Sequence, residues 1–103
     1  MKYKQYNIEP VFTEYSFGGN LALYFTEENE SMFGVVTVNL EDDDLSNERC
    51  AFIDTNNWDD NVCAWLETNG FGKQTGRIGI SGFCIYPEFE FNEQIIERYK
   101  KEN

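Results

Sequence analysis

Asp54, Asp59 and Asp60 lie close enough in sequence for one carboxylate to act as an acid and another as a base. The chain contains no histidine, so Ser-His-Asp and Cys-His nucleophilic catalysis are excluded within it, leaving carboxylate or lysine chemistry. With 19 Asp and Glu in 103 residues, carboxylate pairs arise by chance, and the sequence points away from an enzyme.

Asp54-Thr55-Asn56-Asn57 sets four oxygen-bearing side chains in a row, as a hard cation requires. Trp58 then stands where an EF-hand needs an oxygen, and no glycine or bidentate glutamate follows at the right interval. A strand end turning into a helix through Asx hydrogen bonds accounts better for the segment. Gly70-Phe71-Gly72-Lys73-Gln74-Thr75-Gly76 has phosphate-loop residue types, but it lacks the Lys-Ser/Thr pair after the last glycine and follows a helix instead of opening one. Cys50, Cys63 and Cys84 are odd in number and show no CxxC spacing, which argues against a zinc site. No cofactor is implied, and the thiols are expected to be reduced and packed in or beside the core.

Charge is the stronger signal. Val11 to Asp60 carries twelve acids against one base, Arg49, and the remainder of the chain sums to zero, so this half accounts for the net charge of −11. Such a field repels nucleic acid and attracts basic protein surfaces. Glu27, Glu28, Glu30, Glu41, Asp42, Asp43, Asp44, Glu48, Asp59 and Asp60 are therefore the candidate partner-binding residues. A composition of 41% hydrophobic and 17% aromatic residues supplies enough buriable surface for one folded domain over residues 1–103. No stretch approaches the roughly 20 apolar residues of a membrane span, so a cytoplasmic protein is expected.

The elements that must position these residues follow from periodicity. An aromatic stretch from Tyr6 to Phe17 predicts a strand broken at Pro10, and Gly18-Gly19-Asn20 a turn. Leu21 to Thr26 and Phe33 to Leu40 predict a hairpin joined by a five-residue connection. Glu41 to Glu48, whose single apolar residue is Leu45, reads as a solvated loop. Cys50 to Asp54 predicts a buried strand, and Asn57 the cap of a helix from Trp58 to about Asn69 that packs through Val62, Trp65 and Leu66. Gly70 to Gly79 reads as a flexible segment. Gly82 to Phe91 reads as a final strand with Pro87 forcing an edge or a bulge, and Asn92 as the cap of a short C-terminal helix. The expected class is α+β, with a mainly antiparallel sheet of four to five strands, a central helix after the third or fourth strand and a short C-terminal helix. Trp58, Trp65, Phe71, Phe83, Tyr86, Phe89 and Phe91 exceed simple core duty, so some are expected at an interface.

Gly19 to Leu23, Thr37 to Leu40, Phe52 to Asn57 and Ser81 to Pro87, continued by Phe89 and Phe91, resemble a domain-of-unknown-function family of small acidic proteins carried on conjugative elements and phages. The chain departs from that pattern at Trp58-Asp59-Asp60, where a Cys-Pro-like turn is expected. The resemblance implies an anti-defence context: a non-enzymatic inhibitor that occupies the basic groove of a bacterial host nuclease, CRISPR or restriction, or of another nucleic-acid-binding protein. Direct binding to nucleic acid or membrane is not expected. An accessory interaction module without nucleic-acid mimicry is the alternative, and a small carboxylate-dependent enzyme a lesser one.

Overall fold

Val36 divides the second predicted β run between two sheets. Its N–H donates to the Leu23 carbonyl at 2.9 Å, while its carbonyl accepts from the Asp54 N–H at 2.8 Å. Phe33 to Leu40 is consequently two strands instead of one. In this computed structural model, which describes residues 1–29, 31–40, 43–58 and 61–101, the first sheet has the order β1 (Lys2–Tyr3), β2 (Tyr6–Glu14), β3 (Leu21–Glu27), β4 (Met32–Val35). The second has the order β5 (Thr37–Val38), β6 (Cys50–Ile53), β8 (Cys84–Phe91), β7 (Gly72–Ser81). Neighbouring strands in both sheets are antiparallel. The α+β class and the antiparallel pairing are as expected, but the strands form two four-stranded sheets, and the central helical segment follows the sixth strand.

That segment is α1 (Thr55–Trp58) and α2 (Asn61–Thr68). Asn57 therefore lies inside a helix instead of capping one. The cap is Asp54, whose Oδ1 accepts the Asn57 N–H at 3.3 Å and whose Oδ2 accepts Asn57 Nδ2 at 2.7 Å. The predicted apolar face of α2 is present, with Val62 and Leu66 buried and Trp65 packed against the core.

One core lies between the sheets and α2. Ile8, Phe12, Leu23 and Phe25 come from the first sheet; Ala51, Ile53, Phe89 and Phe91 come from the second. Phe12 meets Phe91 edge-on at 5.2 Å, and Tyr3 meets Trp58 and Trp65 at 5.3 and 5.4 Å. Of the seven aromatics that exceed simple core duty, Trp58, Trp65, Phe71, Phe89 and Phe91 do belong in or against this core, whereas Phe83 projects into solvent.

Pro10 does not break β2. The N–H of Ile8 bonds to Met1 O and that of Phe12 to Tyr99 O, so Pro10 sits between two tethered positions where a missing donor costs nothing. Gly70 to Gly79 is also not a flexible segment, since Gly72 to Ser81 forms the edge strand β7. α3 (Glu93–Arg98) is the predicted C-terminal helix. Asn92 occupies its N-cap position, yet its side chain donates to Gly70 O at 2.9 Å instead of capping. No helix among the described residues is long and apolar enough to cross a membrane.

Candidate partner-binding surface

Pairing of β7 with β8 runs through Gln74 opposite Phe89 and resumes with Ile78 opposite Pro87. Thr75, Gly76 and Arg77 thus bulge opposite the single residue Glu88, helped by Gly76 at φ +91°. Pairing of β6 with β8 stops at Glu88, one residue short of Pro87, which has no N–H to extend it. Pro87 thus ends the pairing with β6, but β8 is an inner strand instead of an edge, and the bulge lies in β7 opposite Glu88 instead of at Pro87.

The bulge aims polar groups at a carboxylate that is 0% exposed. Glu88 Oε1 accepts from Thr75 Oγ1 and Ser46 Oγ, both at 2.7 Å, and Oε2 accepts from Ser46 N at 2.9 Å and Arg77 Nη1 at 3.2 Å. Burial is the largest single influence on this carboxyl and opposes its ionisation. The hydrogen bonds from Ser46 and Thr75, with the Arg77 charge, outweigh burial and hold its pKa below the ordinary glutamate value. A buried anion so fully partnered is an anchor, with no lone pair left facing an open pocket.

What it anchors is the connection from β5 to β6. Leu40 lies against Gly79, and Asp43 Oδ2 accepts the Ile80 N–H at 3.0 Å on the outer edge of β7. Arg77 Nη2 holds Asp44 O at 3.0 Å, Ser46 engages Glu88, and Asn47 Nδ2 donates to Glu90 Oε2 at 2.8 Å. Residues 43–48 of the expected solvated loop have no regular structure and expose Asp44, Ser46, Asn47 and Glu48, as expected, but polar contacts that a search for apolar packing cannot find fasten them as a strap across the second sheet. Burial, followed by the charge of Glu88, raises the pKa of the Cys50 thiol beneath it. Cys50 and Cys63 are buried and Cys84 half-buried.

The predicted surface acids separate into distinct places. Glu27 and Glu28 are exposed at the end of β3, beside a shallow cleft shared with Gln5, Tyr6 and Asn7. Asp43, half-buried, and the exposed Asp44 and Glu48 ride on the strap. Glu48 also borders a cleft of about 490 Å³ between β2 and α3, where Glu14, Glu93 and Glu97 mix with Arg49, Lys100 and Lys101. Glu30, Glu41, Asp42, Asp59 and Asp60 lie outside the described residues. The Asp54 carboxylate is occupied by Asn57, as an Asx turn requires. Sequence reasoning missed Glu88, Arg77, Ser46 and Thr75; the available signal was a glutamate one position from Phe89 in a strand otherwise rich in large apolar residues.

A family model, a domain of unknown function (DUF4313), matches residues 11–103. No curated protein and no solved structure matches the chain.

Proposed function

We propose, for a chain that belongs to the DUF4313 family of unknown function, a non-enzymatic anti-defence role in which its acidic surface occupies the basic groove of a host nuclease, CRISPR or restriction. The supporting observation is the strap: Asp44 and Glu48 are exposed on a segment fastened by Arg77, Ser46 and Glu88. Acids held in place lose less freedom on binding than acids on a loose loop. The field of a chain with net charge −11 steers it toward basic surfaces. The mobile-element setting and a bacterial cytoplasm rest on the resemblance of Gly19 to Leu23, Phe52 to Asn57 and Ser81 to Pro87 to that family's proteins. Plating of a targeted phage on hosts carrying a CRISPR or restriction nuclease tests this reading. Expression of the chain restores plating, and the Asp44→Lys/Glu48→Lys variant does not; no protection in any such host rejects the proposal.

The second reading is a protein-interaction module without nucleic-acid mimicry. Four large apolar side chains left exposed on the β7–β8 hairpin favour it.

A further inference from the structure

We propose that the β7–β8 hairpin is a docking surface for a protein that presents an apolar slot bordered by lysine and arginine side chains. Ile78, Ile80, Phe83 and Ile85 are 53, 58, 108 and 57% exposed. Ile80 stands opposite Ile85, and Ile78 opposite Pro87. Directly opposed residues share a face, so the three isoleucines form one strip, with Phe83 in the turn at its end. Gly79, between Ile78 and Ile80, points the other way, where a Cβ would meet Leu40 Cδ1 at 2.6 Å and Phe52 Cε1 at 2.9 Å. That side of the hairpin is filled. The isoleucine side is the open one, and a grouped apolar display of this kind marks an interaction site.

Charge and edge chemistry select the occupant. Asp43 bonds the Ile80 N–H at 3.0 Å, placing a carboxylate at the edge of the strip, on the strap that also bears the exposed Asp44 and Glu48. A second copy would bring the same acids into contact, and an anionic membrane surface is repelled for the same reason. Strand addition along β7 is also opposed: side-chain carboxylates take the N–H of Ile80 and, through Glu67 Oε2 at 3.2 Å, that of Gln74, while the bulge interrupts the strand between them. Docking therefore proceeds through side chains, into an apolar slot whose rim is cationic.

This surface does not depend on the partner being a nuclease. The probe is a synthetic peptide of alternating Leu and Lys, with a Leu/Glu twin, polylysine and zwitterionic vesicles as comparisons, each titrated into the ¹⁵N-labelled full chain. The Leu/Lys peptide moves the amide resonances of Ile78 to Ile85, and its affinity falls at least tenfold in Ile80→Thr/Phe83→Ser. Threonine keeps the strand propensity of that position. Should the double variant melt below the wild type, Phe83→Ser alone, altered at a turn residue fully in solvent, carries the test with at least a threefold loss. Unmoved hairpin resonances, equal binding of the Leu/Glu peptide or polylysine, insertion into the vesicles, or a dimer joined through the hairpin would overturn the proposal. Failure of the phage-plating test leaves this result unaffected, because no nuclease enters the titration.

Discussion

Arg77 reaches the fully buried carboxylate of Glu88 at 3.2 Å from within the bulge that β7 makes opposite it. The arginine is half-exposed, so water screens part of the attraction. Removing the acid nevertheless strands Ser46, Thr75 and the guanidinium together. Glu88→Ala is expected to cost about 3 kcal/mol, the lower end of the range for breaking a buried pair, measured by urea unfolding. Glu88→Gln, of the same shape, should cost about half as much.

The same pair carries a pH signature. The folded-state pKa of Glu88 is lowered, so its stabilisation is fully present above the ordinary glutamate value of about 4.3 and is lost as pH falls through the lower folded value. Other carboxylates protonate in this range and relieve repulsion, which makes the difference between proteins the informative quantity. The stability gap between wild type and Glu88→Gln should be widest at neutral pH and shrink as pH falls below the ordinary glutamate value. A gap constant with pH would contradict this account.

Gly79→Ala tests the seat of the strap. The added methyl would lie 2.6 Å from Leu40 Cδ1 and 2.9 Å from the buried Phe52 ring. Leu40 can swing away, but Phe52 cannot, so about 1–3 kcal/mol of destabilisation is expected, along with faster amide exchange at Asp43 to Ser46. Wild-type exchange there would show that Leu40 does not hold the strap.

The outer edge of β7 gives a fourth expectation. Asp43→Ala/Glu67→Ala frees the N–H groups of Ile80 and Gln74 and should produce concentration-dependent self-association relative to wild type, measured by sedimentation velocity. Unchanged sedimentation would mean that the bulge alone protects the edge.

Elements with strong periodicity were legible in the sequence: the β3–β4 hairpin, the buried strand at Cys50, the apolar face of α2 and the C-terminal helix. β7 was not, because Gly72, Gly76 and Gly79 read as loop residues although each serves strand geometry: a positive φ at the first two and close approach of Leu40 and Phe52 at the third. The division at Val36 was hidden because both halves are β-forming, and only hydrogen bonds to separate sheets tell them apart. Acidic residues were visible as charge, but their roles were not. Asp43 caps an edge and Glu88 is buried, distinctions that depend on partners 37 and 42 positions away.

Asp54→Ala should cost about 1 kcal/mol through loss of the α1 cap. α1 carries Trp58, whose Nε1 donates to Val35 O at 2.6 Å, so the folded variant should show no red shift of tryptophan fluorescence toward the unfolded spectrum; a lowered midpoint with an unchanged native spectrum is expected. A stable variant that loses biological activity would instead assign Asp54 a direct role.

The central claim, that the strap's acids compete with nucleic acid for a basic groove, is tested most directly by displacement of labelled duplex DNA from purified CRISPR and restriction nucleases between about 0.05 and 0.5 M salt, where screening shortens to a few ångströms. The account predicts displacement by the wild type from at least one of these nucleases that weakens steadily with salt, and at least a tenfold loss in Asp44→Lys/Glu48→Lys at unchanged thermal stability. Displacement from none of them, displacement that is flat across the salt series, or displacement equal in the reversed-charge variant would contradict it.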